Sequence, residues 1–181
     1  DEVEKLLRRV EKEVDRIKRE LEDNLRRVEK LVKEIHEENE KLMRKARKLV
    51  EDIKRIIDRG DKDSRVLDEV RKLIRTVEEE IKESVERAER LIRESEEHLK
   101  RVLEEAKETI RRLEEKVRRD VKSEEVKKAE KEIRRLLDEL RRVVEEVTKK
   151  TKELLRRLKK SSDELRKTIK ELLRELEEKV R

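Results

Sequence analysis

Apolar residues recur every three or four positions along nearly the whole chain, and only two short stretches interrupt them. That spacing keeps one face of an α-helix apolar. It cannot serve a strand, whose faces alternate every second residue. The chain is therefore confined to long amphipathic helices. Residue choice agrees, since Leu, Glu, Lys and Arg dominate and all are strong helix formers. High charge with few aromatics is otherwise a disorder-like composition, but a disordered chain lacks the period.

The first interruption is Arg59-Gly60-Asp61-Lys62-Asp63-Ser64. Its glycine, the only one in the chain, suits the left-handed position after a helix end, and Asp63 or Ser64 then offers an N-cap oxygen. The second is Arg119-Asp120-Val121-Lys122-Ser123-Glu124-Glu125, with Ser123 as cap and two acids in the following first turn. Val121, apolar in this turn, would be exposed unless it covers the bundle end. Three helices follow, over about 2–59, 64–119 and 123–180, each roughly 85 Å long. Short connections make neighbours antiparallel. The expected fold is all-α: a single-chain, single-domain, up-down-up three-helix bundle over residues 1–181.

The seams read as heptads. In the first helix they are Val3, Leu7, Val10, Val14, Ile17, Leu21, Leu25, Val28, Val32, Ile35, Asn39, Leu42, Ala46, Leu49, Ile53 and Ile56. The second carries Val70, Ile74, Val77, Ile81, Ser84, Ala88, Leu91, Ser95, Leu99, Val102, Ala106, Thr109, Leu113 and Val117. The third carries Val126, Ala129, Ile133, Leu136, Leu140, Val144, Val147, Thr151, Leu154, Leu158, Ser161, Leu165, Thr168, Leu172 and Leu176. Each contains a pair of consecutive four-residue steps away from its ends, at Leu21, Ser95 and Leu140, which unwinds the supercoil locally. Folding the chain at its two turns places position i of the first helix near 121 − i and i + 119. The three irregular steps then share one height, which supports the antiparallel register.

Lys and Arg number 57, Asp and Glu 51, so 60% of the 181 residues are charged, with net charge +6. Phe, Trp, Tyr, Pro and Cys are absent. Strand-built folds, disulfide scaffolds, thiol enzymes and Cys-ligated zinc sites are excluded. No run of about 18 apolar residues offers a membrane span. The acidic start Asp1-Glu2 is not that of a signal or transit peptide. An apolar share of 31% is close to the two in seven, about 29%, of one narrow seam. A monomer is expected, although Leu6, Leu31, Ile57, Leu103, Leu137, Leu155 and Leu173 leave a homo-oligomer open.

Scarce polar residues fall beside the seams at two heights. One set is Asn24, Ser95, His98 and Thr148; the other is His36, Asn39, Ser84, Thr151 and Ser161, with Ser162 adjacent. They read as two buried hydrogen-bond layers, which penalise a wrong register because an unpaired buried polar group costs a few kcal/mol. As buried rings, His36 and His98 would make the chain pH-sensitive. Neither set supplies metal ligands: His36-Glu37-Glu38-Asn39-Glu40 begins like a metalloprotease helix but ends in Glu. A close-packed bundle supplies no oxyanion hole, so no catalysis and no cofactor are expected. Pairs such as Glu4 with Arg8, Asp15 with Arg19, Glu22 with Arg26, Glu83 with Arg87, Glu86 with Arg90 and Glu114 with Arg118 intersperse the charges. Without aromatics for stacking, neither nucleic acid nor a membrane surface is an expected partner. Arg59-Gly60-Asp61 spells an integrin-recognition tripeptide, which helix termination alone explains.

Three equal helices, Leu/Ile/Val seams with small Ala, Glu/Lys/Arg surfaces and caps such as Ser123-Glu124-Glu125 run the whole length of the chain. In these respects it resembles de novo designed, parametrically generated helical bundles with buried hydrogen-bond networks. The resemblance implies a structural scaffold with no biochemical activity. An interaction or assembly module is the alternative, and a BAR-like membrane-binding rod the third; natural modules of that kind carry aromatics and prolines, which are absent here.

Overall fold

The computed structural model describes residues 2–60, 64–120 and 123–180. They form α1 (Glu2–Asp58), α2 (Ser64–Asp120) and α3 (Ser123–Val180), with no strand among the described residues. At the end of α1, the Gly60 N–H donates to the Ile57 carbonyl at 2.9 Å and the Arg59 N–H to the Arg55 carbonyl at 3.1 Å. Gly60 has φ +98°, a conformation that a side chain disfavours. Glu2 and Glu4 open α1, Glu124 and Glu125 open α3, and Arg118 and Arg119 close α2, as the helix dipole prefers. Asp61, Asp63 and Val121, and the side chains of Ser64, Val117 and Ser123, lie outside the described residues; the cap, tripeptide and end-cover readings therefore fall outside them too.

Two compact units divide the chain, each built from a stretch of all three helices. The first, Asp1–Val28 with Leu91–Lys152, packs Leu6, Val10, Val14, Ile17 and Leu21 against Leu99, Ala106 and Ile110 and against Ile133, Leu136, Leu140 and Val147. Lys18 of α1 reaches Glu139 of α3, 121 residues further on. The second unit, Glu29–Arg90 with Glu153–Arg181, has two apolar clusters. The larger joins Met43, Val50, Ile53 and Ile57 to Leu67, Val70, Ile74, Val77 and Ile81 and to Ile169 and Leu176. The smaller joins Ile35, Ala88 and Leu158. Here direction is explicit. Lys54 pairs with Glu175 and Asp58 with Lys179, again 121 residues apart, so α1 and α3 run parallel. Arg71 pairs with Glu177 and Glu89 with Lys159, so α2 runs opposite to both. The fold is an up-down-up three-helix bundle.

The heptad reading needs a correction. From Leu6 to Ile57 the inward positions of α1, counted through half-buried Leu25 and Val32, cover 51 residues in 14 steps. That is about 3.6 per step, the pitch of a straight helix, against 3.5 for a heptad. The seam therefore drifts outward by one residue at both ends. Leu6 is buried in place of Leu7, Met43 in place of Leu42, Val50 in place of Leu49 and Ile57 in place of Ile56, which is 39% exposed. In α2 the same drift buries Ile92 rather than Leu91 and Ile110 rather than Thr109; in α3 it buries Ser162 rather than Ser161 and Ile169 rather than Thr168. The consecutive four-residue steps expected at Ser95 are not kept: with Ile92 inward they fall at Ala88 and Ala106 in α2, and α1 has further ones at Val10 and Asn39.

Burying one aliphatic side chain is worth about 1.5–3 kcal/mol, and removing it leaves a cavity as well. Leu140→Ala, at a fully buried site, should cost about 2–5 kcal/mol in denaturant unfolding. Leu73→Ala, at a site 43% exposed, should change stability by no more than about 0.5 kcal/mol in the same measurement.

Candidate functional site

The candidate site is the set of polar residues at or beside the seams. In the first unit, Ser95 Oγ donates to Asn24 Oδ1 at 3.1 Å, which ties α2 to α1. Asn24 Nδ2 is buried and has no hydrogen-bond partner among the described residues. The other expected members do not join this pair. His98 is exposed and makes no hydrogen bond to it, because its position lies one residue outside the buried Leu99. Thr148 is half-buried, and its backbone carbonyl accepts from Thr151 Oγ1 at 2.9 Å. Thr151 is buried but satisfied within its own helix, and it has no interhelical hydrogen bond among the described residues.

In the second unit, Asn39 and Ser84 are 1% and 4% exposed. Ser84 Oγ donates to the Glu80 carbonyl at 2.6 Å and lies 3.4 Å from Asn39 Oδ1. A hydroxyl has one proton, so the shorter bond takes most of it and the interhelical contact is the weaker. Ser162 is buried on α3, between Leu158 of the small cluster and Ile169 of the large one. Its Oγ and Arg166 Nε have no hydrogen-bond partner among the described residues, and both residues line a cavity of about 200 Å³ with Ile81 and Val85. Sequence order places Asn39 and Ser84 between the same two clusters.

His36 is not in that layer. Its side chain is 46% exposed, with Nε2 3.1 Å from Glu40 Oε1 and Nδ1 3.4 Å from Ser161 Oγ, itself half-buried. The ring stands at the rim of an open groove of about 350 Å³, walled by Val32, Leu154 and Leu158. The burial on which pH sensitivity through His36 and His98 depended is absent. Glu40 and Arg166 were not among the expected residues. The i,i+4 spacing of Glu40 to His36 was the available signal for the first; nothing in the sequence marks the second.

Charge elsewhere is mostly surface pairing. Glu4–Arg8 and Glu22–Arg26 form at 4.0 and 3.8 Å, while Arg118 turns from Glu114 to Glu130 on α3. Arg135 holds the Glu132 carboxyl below the usual carboxylate range by a hydrogen bond, and Arg156 does the same for Glu153. Exposed pairs of this kind contribute little. Among the described residues no group of three or more His, Asp or Glu side chains could hold a metal, and no helix is long and apolar enough to cross a membrane.

Glu114 behaves differently. Burial, and then the neighbouring Glu130, raise its carboxyl above the ordinary value; Arg118 and Arg134 only partly offset them. A raised carboxyl binds its proton more tightly folded than unfolded, so its ionisation opposes folding. Glu114→Gln should raise the denaturant midpoint at pH 7. The gain should vanish below about pH 4, where the carboxyl is protonated in both states.

No family model matches the chain, and no curated protein does. Among solved structures it is similar to one described as "Computationally designed three helix bundle", with TM-score 0.85 and 20% identity over 98% of this chain and 90% of that chain. At that identity the similarity is one of fold.

The half-satisfied Asn24 amide yields a stability test. An unpaired buried amide group costs about 1–3 kcal/mol. Asn24→Leu combined with Ser95→Ala, which removes the amide without orphaning the hydroxyl, should therefore raise unfolding free energy by about that amount, as read from the midpoint and slope of a urea titration.

Proposed function

We propose that the chain is a structural scaffold of designed origin. The observation that carries this reading is the core: every buried apolar side chain among the described residues is Leu, Ile, Val, Ala or Met. The fold shared with a computationally designed three-helix bundle supports it. So does agreement between helix propensity, seam and end charges, which is what a sequence written for one structure contains. The role is to hold three helices in fixed register, and the partner state is a monomer.

Sedimentation equilibrium tests this reading. The expected result is a single species at the chain mass of 22.2 kDa, with a thermal midpoint unchanged by protein concentration between about 1 and 100 μM. A stable dimer or trimer, with a midpoint that rises with concentration, would support the assembly module instead.

A further inference from the structure

We infer that the α1–α3 groove of the second unit is an esterolytic site in which Ser161 is the nucleophile, His36 its general base and Glu40 the positioning residue that orients the base. The inference is independent of the scaffold reading. That reading fails on association state; this one fails on chemistry.

A neutral imidazole carries a single N–H, and a carboxylate only accepts. Glu40 Oε1, 3.1 Å from Nε2, therefore holds the proton on that nitrogen. Nδ1 is left with its lone pair 3.4 Å from Ser161 Oγ, which is the tautomer a base needs. The opposite tautomer would set a lone pair against a carboxylate. The hydroxyls of Thr76, Ser84, Thr109 and Thr168 each donate to the carbonyl four residues back on their own helix. Ser161 Oγ instead faces the ring at the edge of an apolar groove.

Val32, Leu154 and Leu158 wall that groove, and Glu29, Lys33 and Arg157 line it as well, Arg157 donating through Nε to Glu153 at 3.3 Å. The chemical class that fits is an ester with an apolar acyl chain and a good leaving group. Ser161 Oγ attacks the carbonyl carbon as its proton passes to Nδ1. The tetrahedral oxyanion draws on Lys33, the lining ammonium, for its countercharge. Its collapse expels the alcohol or phenol, which takes the proton from Nδ1. Water then attacks the acyl-serine, gives a proton to Nδ1, and frees the acid as that proton returns to Ser161. Backbone N–H groups within α1 and α3 are committed to the helices, so no backbone oxyanion hole forms. Turnover is accordingly confined to activated esters.

The test uses the intact chain with 4-nitrophenyl acetate and 4-nitrophenyl butyrate. His98→Ala removes the other, exposed histidine and should leave the rate unchanged. Ser161→Ala and His36→Ala should each lower it at least tenfold, toward the low end of what general-base catalysis supplies, about 10²-fold. Peptide mapping after a short pulse should find the acyl group on Ser161, and not on Ser161 in His36→Ala. Circular dichroism shows whether each variant remains helical. For Glu40, nitrogen-15 NMR should find the His36 proton on Nε2 in the parent and shared between both nitrogens in Glu40→Ala, which removes the acceptor. Equal rates for His36→Ala and His98→Ala, or acyl groups found only on lysines, would overturn the site. Full activity in Ser161→Ala would overturn the nucleophile, and an unchanged tautomer in Glu40→Ala the role of Glu40.

Discussion

Each helix keeps a single aliphatic stripe inward over its whole length, and the remaining structure depends on that stripe. A helix satisfies its own backbone hydrogen bonds, so what joins it to its neighbours is side-chain burial. Here the burial comes from Leu, Ile and Val with a few Ala and one Met. The pitch matters as much as the composition. Inward positions advance about 3.6 residues per step, so each stripe stays on one side of a straight helix instead of winding around it. Position by position this requires two neighbouring apolar residues where the stripe shifts by one, one inward and one at the boundary. Ile56 and Ile57, Leu49 and Val50, and Leu91 and Ile92 are such pairs.

These pairs also explain what could be read from the sequence. The three helices, their two turns and the antiparallel register were legible because Gly60, the capping residues and the charge runs mark them directly. Pairs 121 residues apart, Lys18–Glu139 and Lys54–Glu175, lie two residues from the offset that folding at the turns implies. Which member of an apolar pair points inward was not legible. A heptad and a straight helix differ by about a tenth of a residue per step, and over 14 steps that grows to about one residue. The Asn24–Ser95 and Asn39–Ser84 pairs followed from register, since 24 with 95 and 39 with 84 sit opposite each other near the 121 − i rule. The histidines did not. A position one residue off the seam is a boundary site, and an imidazole there reaches water. Glu40 was hidden in a surface where nearly every glutamate has a cation three or four residues away.

The polar residues of the second unit show what a seam polar group does to a bundle of this kind. Asn39 and Ser84 interrupt two apolar clusters on α1 and α2, and Ser162 does so on α3. Sliding α1 by one turn would bring the Asn39 amide against Ile81 or Ala88, away from the Ser84 hydroxyl, while Ser84 kept only its bond to the Glu80 carbonyl. Aliphatic layers alone would resist such a slide weakly, because Leu, Ile and Val pack against one another in several registers. The layer thus lowers stability slightly and makes the alternatives worse.

The fate of each hydroxyl then separates the polar residues by role. A serine or threonine that donates to its own helix four residues back is satisfied in every register, and so selects none. Thr76, Thr109 and Thr168 are of this kind, and Thr151 is nearly so through the carbonyl three residues back. Ser84 does both: its short bond to the Glu80 carbonyl persists if the helices move, and only its longer contact to Asn39 reports on register. Ser95, whose bond is to Asn24, and Ser161, whose contact is to His36, depend on a second helix. Among the described uncharged polar residues, interhelical hydrogen bonding is therefore carried by very few side chains. Those few are also where its polar chemistry collects, because a hydroxyl turned from its own backbone is left to meet an amide, a ring or a bound molecule.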